Sequence, residues 1–162
     1  MRIARMAALV AGVAAIACTQ SPVVPIIEAP PVELNIKVSD SVLVFGKVDT
    51  IRVIIKNTLA VVARLSFSTQ CQERVFIRNL SSKIVLPATG THVCGPVVSQ
   101  LNLPAKDSVV RTYFWTGGQN FLPPDPVAKL PAGRYFVSAT VQATNYSVSA
   151  FPVAIRLTAT SR

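Results

Sequence analysis

Apolar and polar side chains alternate along short segments through most of this chain. In residues 34–38, 63–68 and 137–142, every second residue is apolar and its neighbours are polar or small. A repeat of two indicates a β-strand with one buried face, because successive side chains point to opposite sides of a sheet. Strands are predicted to begin near Glu33, Val42, Ile51, Ala63, Val75, Val109, Tyr135 and Val153.

These segments predict an all-β domain over residues 33–162. Each strand has one apolar face to bury, so we expect an antiparallel β-sandwich of about 7–8 strands. Twelve prolines and seven glycines separate the segments, as is typical of such folds. Hydrophobic residues make up 51% of the chain and charged residues 14%, which excludes disorder over most of its length.

The N-terminus has the pattern of a secretory signal over residues 1–17. Arg2 and Arg5 precede a run of twelve apolar residues, 6–17. As a helix this run would span roughly 18 Å, which is short of a hydrocarbon core of about 30 Å. A charged start, a short apolar run and small residues at its end are typical of a cleaved export signal.

Cys18 follows this signal directly. The sequence Ala15-Ile16-Ala17-Cys18 resembles the bacterial lipoprotein signal, in which the cysteine becomes the lipidated first residue of the mature chain. The same residues also fit ordinary A-x-A cleavage, which would leave a plainly secreted protein with a free thiol. Residues 18–32 are proline-rich and are predicted to form an extended tether.

The cysteine count favours lipidation. The chain has three cysteines, and an acylated Cys18 would leave Cys71 and Cys94 as a pair. In an exported protein we expect this pair to form a disulfide. A metal or redox pair is the alternative, but it lacks the C-x-x-C spacing and has only His92 nearby.

The net charge of +9 does not by itself indicate nucleic-acid binding. The cations are spread singly along strand-like segments, with no run of three. This spacing predicts solvated sheet faces, and a weak attraction to anionic lipid or wall polymer stays open.

Catalytic motifs are missing from the sequence. His92 is the only histidine, in a loop where we expect it to be solvated, and no serine lies in a G-x-S-x-G motif. We therefore predict no enzymatic activity, no cofactor and no metal site. The candidate binding residues are Phe121 and Leu122, in a loop over residues 116–131. The alternative for Phe121 is packing at the edge of the core, and Trp115 is expected to be a core anchor.

Several landmarks resemble the BsuPI-type domain, a family named for an intracellular proteinase inhibitor and similar to immunoglobulin-like sandwiches. They are Asn57-Thr58 at a strand end, residues 65–68 before a cysteine, residues 103–108 before a strand ending in Phe114-Trp115, and residues 130–135 at the start of a strand. The resemblance implies an immunoglobulin-like sandwich and proteinase inhibition. The export signal departs from an intracellular family, and no inhibitory residue maps onto this chain.

The leading functional hypothesis is a non-catalytic binding or accessory module of the cell envelope, exported and lipid-anchored. One alternative is a BsuPI-type proteinase inhibitor acting in the envelope through Phe121 and Leu122. Another is a structural envelope component. The expected partners are the membrane, through the N-terminal lipid, and a protein or protease, with no nucleic acid.

Intact mass of the membrane-extracted chain tests the predicted N-terminus. We expect a chain that begins at Cys18 and carries acyl groups, because the lipidated cysteine becomes the first residue. Cys18→Ser should remove the added mass and release the protein from the membrane fraction. A wild-type chain beginning at an unmodified Cys18 would contradict lipidation but not export.

Overall fold

The computed structural model describes residues 30–121 and 128–159. Within these ranges it contains eleven β-strands and no helix, so the predicted all-β fold class is confirmed. The signal segment, residues 18–29 of the predicted tether, and Leu122 lie outside the described residues. The strands are β1 (Val32–Val38), β2 (Val42–Val44), β3 (Asp49–Asn57), β4 (Ala63–Phe67), β5 (Arg74–Asn79), β6 (Ile84–Leu86), β7 (Ser99–Leu103), β8 (Ser108–Trp115), β9 (Gly133–Gln142), β10 (Ser147–Ser149) and β11 (Val153–Thr158).

The strands form three sheets. Sheet A has the order β1-β3-β8, and sheet B has the order β2-β11-β9-β5-β6 with β10 paired to β9. Sheet C consists of two strands, β4 and β7, which are not consecutive in the chain. Every pairing is antiparallel except that of β2 with β11, which is parallel. This single parallel contact departs from the purely antiparallel sandwich that the sequence predicted.

The predicted strand count was too low because three strands lack a readable pattern. β6 and β10 have three residues each, which is too short for an alternation to stand out. β7 has the sequence Ser-Gln-Leu-Asn-Leu, and only its last residue is fully buried. Such strands are specified by their neighbours more than by their own residues.

The core lies between the inward faces of the sheets. β3 places Ile51, Val53 and Ile55 inward, and the facing residues of β9 include Val137 and Ala139. All five are fully buried. Alternate burial along both strands is the arrangement that the period-two pattern predicts.

Trp115 anchors one end of this core, as the sequence predicted. Its side chain is fully buried, and its indole N–H donates a hydrogen bond to the Gly118 carbonyl oxygen at 2.7 Å. The turn that places the Gly118 carbonyl oxygen beside the Trp115 ring requires a glycine at position 117. The φ of Gly117 is +86°, and its Cα lies against Leu157. A side chain there would be strained by its backbone and would clash with the leucine.

A buried asparagine ties three chain segments together at the end of β3. The Asn57 side-chain amide donates hydrogen bonds to the carbonyl oxygens of Val61 (2.8 Å), Leu103 (3.0 Å) and Pro104 (2.8 Å). Its Oδ1 accepts a hydrogen bond from the Leu59 amide at 2.8 Å. Two of the sequence landmarks, Asn57-Thr58 and residues 103–108, are therefore partners in one hydrogen-bond network.

Another of these landmarks, residues 130–135, forms a turn that is held by a tyrosine. The Tyr135 hydroxyl donates to the Pro131 carbonyl oxygen at 2.7 Å, while its ring lies edge-on to Trp115 with centroids 6.1 Å apart. A tyrosine whose hydroxyl bonds to the backbone a few residues upstream is typical of immunoglobulin-like sandwiches, where it holds the corner before a strand.

Replacing the hub asparagine should destabilise the domain strongly. We expect Asn57→Ala to lower the free energy of unfolding by about 2–4 kcal/mol, because it leaves buried carbonyl groups without a donor. Urea unfolding with the disulfide intact measures this change. The control is Asn35→Ala on the exposed side of β1, expected to change stability by less than about 0.5 kcal/mol. Equal effects of the two substitutions would contradict the role given to Asn57.

Candidate functional site

A disulfide joins the two loops on either side of β5 and β6. The sulfur atoms of Cys71 and Cys94 are bonded, and their Cα atoms lie 5.5 Å apart. This confirms the pairing expected from the sequence. Next to the bond, the backbone N–H of Gln70 donates a hydrogen bond to the Gly95 carbonyl oxygen at 3.3 Å, so the backbones of the two loops are also in contact. A bond of this kind is typical of proteins that fold in an oxidising compartment.

Beside the disulfide lies a cleft of about 560 Å³. One wall is the loop that leads into β5, and the opposite wall is β8 at the edge of sheet A. Its lining side chains carry carboxylate, guanidinium, phenol, imidazole and amide groups, a more polar set than a typical small-molecule pocket has. They belong to Gln70, Cys71, Gln72, Glu73, His92, Arg111 and Tyr113.

Strand alternation brings two of these side chains to the cleft. Arg111 and Tyr113 are two residues apart on β8, so they share its inward face with the apolar Val109 and Trp115. β8 forms an edge of sheet A and pairs with β3 on one side only. The edge position allows a charged side chain on the inward face to reach solvent instead of the core.

The cleft contains one connected polar network. The Tyr113 hydroxyl donates to Glu73 Oε1 at 2.8 Å, and Arg111 Nε lies 3.7 Å from the same oxygen. An Arg111 Nη2 hydrogen bond to Gln72 Oε1, at 2.9 Å, fixes the guanidinium from the other side. The Glu73 side chain is only 12% exposed, so its charge is held largely within the protein. The network thus holds a carboxylate and a guanidinium in defined positions.

Burial raises the pKa of the Tyr113 hydroxyl well above its usual value. The negative charge of Glu73 and the hydrogen bond to it add to this increase, and the positive charge of Arg111 opposes it in part. Tyr113 therefore stays protonated at neutral pH and acts as a hydrogen-bond donor.

His92 is half-buried, contrary to the solvated loop histidine that the sequence predicted. Its Nε2–H donates to the Val75 carbonyl oxygen at 2.8 Å, and its ring lies edge-on to Phe76 with centroids 4.9 Å apart. These contacts leave Nδ1 without the proton in the neutral ring. His92 thus forms part of the cleft wall and is held by strand β5.

Phe121, one of the two predicted binding residues, lies next to this cleft. Its ring is half-buried against the core and packs on Tyr113 with centroids 5.1 Å apart. The placement corresponds to the core-edge alternative that the sequence left open. Use of Phe121 and Leu122 as a binding or inhibitory loop stays a prediction.

The sequence did not single out the residues that line the cleft. Gln70, Gln72 and Glu73 lie in a loop with no motif, and only the fold places them opposite β8. Arg111 offered one signal, since it interrupts the apolar face shared by Val109 and Trp115. A charged side chain on the inward face of a strand indicates an edge or a site.

The described ranges contain neither a metal-ligand cluster nor a membrane-spanning helix. Within residues 30–121 and 128–159, no three His, Cys, Asp or Glu side chains are grouped so that they could hold a metal ion. The same ranges contain no helix of a length and hydrophobicity that would cross a bilayer.

Comparison with known proteins gives only distant likenesses. No protein-family model and no curated protein matches the chain, so membership of the BsuPI-type family stays a prediction. Among solved structures, the chain is similar to the CARDB domain of a Pyrococcus furiosus protein in complex with di-metal ions. The identity is 16% and the TM-score 0.45, over 78% of this chain and 89% of that one.

Two enzymes show likenesses of the same order. An alkylpurine DNA glycosylase from Pseudomonas fluorescens bound to DNA has 14% identity and a TM-score of 0.45, over 79% of this chain and 30% of that one. A β-glucosidase from Listeria innocua in complex with glucose has 12% identity and a TM-score of 0.40, over 78% of this chain and 16% of that one. The chain spans less than a third of either enzyme, and we draw no function from these likenesses.

The raised pKa of Tyr113 predicts a loss of stability in alkaline solution. An unfolded tyrosine ionises at about pH 10, whereas the folded state holds its proton to higher pH. The stabilisation is therefore complete below about pH 10 and declines as the pH rises above it. Denaturant unfolding at pH 9 to 12 should show this decline, with a shallower slope in Tyr113→Phe. Tyr135 and Tyr146 also have raised pKa values, so some slope should remain. A slope unchanged in Tyr113→Phe would contradict the assignment.

Proposed function

We propose that this chain is a non-catalytic binding module of a bacterial cell envelope, anchored by a lipid on Cys18 and using the disulfide-bounded cleft to hold a polar ligand. The observation that carries the proposal is the Glu73, Arg111 and Tyr113 network, because it fixes donors and acceptors at the mouth of a cleft large enough for a small ligand.

The lining chemistry supports binding more than catalysis. The sulfur of Cys71 is in the disulfide, and burial keeps Tyr113 protonated, so neither is an activated nucleophile. The Nε2–H of His92 is bonded to a backbone carbonyl, whereas a histidine base in a nucleophilic site is oriented by a carboxylate or amide and faces a hydroxyl or thiol. The described lining residues contain no serine or threonine to fill that role.

The ligand class follows from the same groups. Glu73 and the side-chain carbonyl of Gln70 accept hydrogen bonds, while Arg111 and the side-chain amide of Gln70 donate them. Such a mixed lining suits a ligand rich in hydroxyl and amide groups. Soluble peptidoglycan fragments combine both groups and occur in the envelope where the proposed anchor would place the domain.

The anchor and the export route support this location but rest on the sequence. The apolar run that ends just before Cys18, the proline-rich residues 18–32 and the even number of remaining cysteines agree with one another. The Cys71–Cys94 bond is consistent with folding outside a reducing cytoplasm.

Titration with soluble peptidoglycan fragments, followed by amide NMR shifts, tests the proposal. We expect saturable shifts at residues 70–73, 111 and 113. Arg111→Gln should weaken binding about tenfold, because it removes a charge-assisted hydrogen bond. Arg64→Gln, an exposed arginine on β4 outside the cleft lining, removes the same charge and is the matched control. Shifts confined to other surfaces, or equal affinities of the two variants, would contradict the proposal.

A further inference from the structure

The outer side of sheet B bears a group of arginines that the cleft does not use. Arg78 on β5, Arg134 on β9 and Arg156 on β11 point away from the core, and we call this group the arginine face. Arg134 lies directly opposite Arg156 in the strand register, so two like charges are neighbours. A like-charge pair of this kind is unfavourable unless something negative covers it.

Protein carboxylates do not neutralise the arginine face in the described ranges. The single salt bridge within residues 30–121 and 128–159 joins Arg111 to Glu73 in the cleft and involves no residue of the arginine face. Arg78 is instead positioned by neutral groups: it donates to the Ser82 carbonyl oxygen at 3.0 Å, and its guanidinium carbon lies 5.7 Å from the centre of the Phe76 ring. A guanidinium held in this way is available to an external anion.

Next to the arginine face is a shallow groove, and two exposed apolar residues directly adjoin its lining residues in the chain. The groove measures about 450 Å³, and its lining includes Arg78, Phe136 and Pro152. Phe151, which precedes Pro152, is 93% exposed, and Leu80 on the β5–β6 turn is 69% exposed. Large solvent-exposed apolar side chains beside a basic patch are typical of a surface that inserts into a membrane interface.

The position of Pro30, the first described residue, also favours a membrane as the partner of this surface. Pro30 and Phe151 line one cavity of about 300 Å³, so residues 1–29 join the domain beside the exposed phenylalanine. If Cys18 carries a lipid, the tether leads from the bilayer to this edge of the domain. A tether of 12 residues, 18–29, extends at most roughly 40 Å, which sets an upper limit on the distance of this edge from the bilayer.

We propose that the arginine face, together with Phe151 and Leu80, docks on an anionic phospholipid surface. Guanidinium groups bind phosphate oxygens through paired hydrogen bonds, and the exposed aromatic ring enters the headgroup region. The choice of a membrane over other polyanions rests on the lipid anchor of the proposed function. Docking would hold the domain in one orientation, with the tether slack beneath it.

Vesicle binding of a chain without its lipid tests this docking. The chain from residue 18 onward, with Cys18→Ser, is sedimented with phosphatidylcholine vesicles that contain or lack phosphatidylglycerol. We expect binding only when the anionic lipid is present, weakened by salt. The triple variant R78Q/R134Q/R156Q should bind on the order of a hundredfold more weakly, at about fivefold for each arginine.

The matched control is K37Q/R52Q/K56Q, which removes three charges from the outer side of sheet A. This variant should bind within a few-fold of wild type, because that surface lacks the groove beside Arg78 and because Glu33 lies opposite Lys56 in that sheet. Phe151→Trp should show a blue-shifted emission on anionic vesicles. Equal losses of vesicle binding in the two triple variants would show that binding depends only on net charge, and this result would overturn the proposal.

Two other outcomes would also overturn it. One is the absence of binding to anionic vesicles. The other is tighter binding to single-stranded DNA than to vesicles with the same loss in R78Q/R134Q/R156Q, which would identify a nucleic-acid surface. The test protein with Cys18→Ser carries no lipid, and its cleft residues are unchanged. Each outcome is therefore independent of acylation at Cys18 and of ligand binding near Arg111.

Discussion

Each sheet of this domain has one apolar face, and these faces are hidden from water only when they close on one another. The buried side chains of β3 and β9 supply the centre of that shared layer, and Trp115 fills one end of it. The connecting loops therefore have to cross the ends of this apolar layer. Loops that cross the open ends of the layer must satisfy their own backbone groups, and the Asn57 amide does so for three carbonyl groups.

Among the described residues, Asp49 is also a fully buried polar side chain, and its hydrogen bonds are less complete than those of Asn57. Asp49 Oδ1 accepts hydrogen bonds from the backbone amides of Ser39 and Asp40 and from the Ser39 hydroxyl. Its second oxygen is buried without a partner in the described part of the chain. Asn57, by contrast, uses both its amide and its carbonyl. The two residues lie at opposite ends of β3, so one strand carries the polar closure at both ends of the core.

The sequence predicted the long strands well and the short ones poorly. β3 and β9 alternate over nine and ten residues, and burial repeats at every second position. β6, β7 and β10 are short or polar and exist because neighbouring strands offer hydrogen-bonding partners. The pairing of Cys71 with Cys94 could be predicted from the cysteine count together with the export signal that ends before Cys18. The cleft could not, because Glu73 and Tyr113 are forty positions apart and only the fold brings them together.

The disulfide does more than hold two loops, since Cys71 is itself part of the cleft wall. The bond fixes the backbone on which Gln70, Gln72 and Glu73 sit to the loop that carries Cys94 and His92, another residue of the cleft wall. A newly made chain whose thiols are still reduced lacks this restraint, even if its apolar layer has already closed. Ligand recognition would then begin only after oxidation, so the redox state of the surroundings would decide when the protein becomes competent to bind.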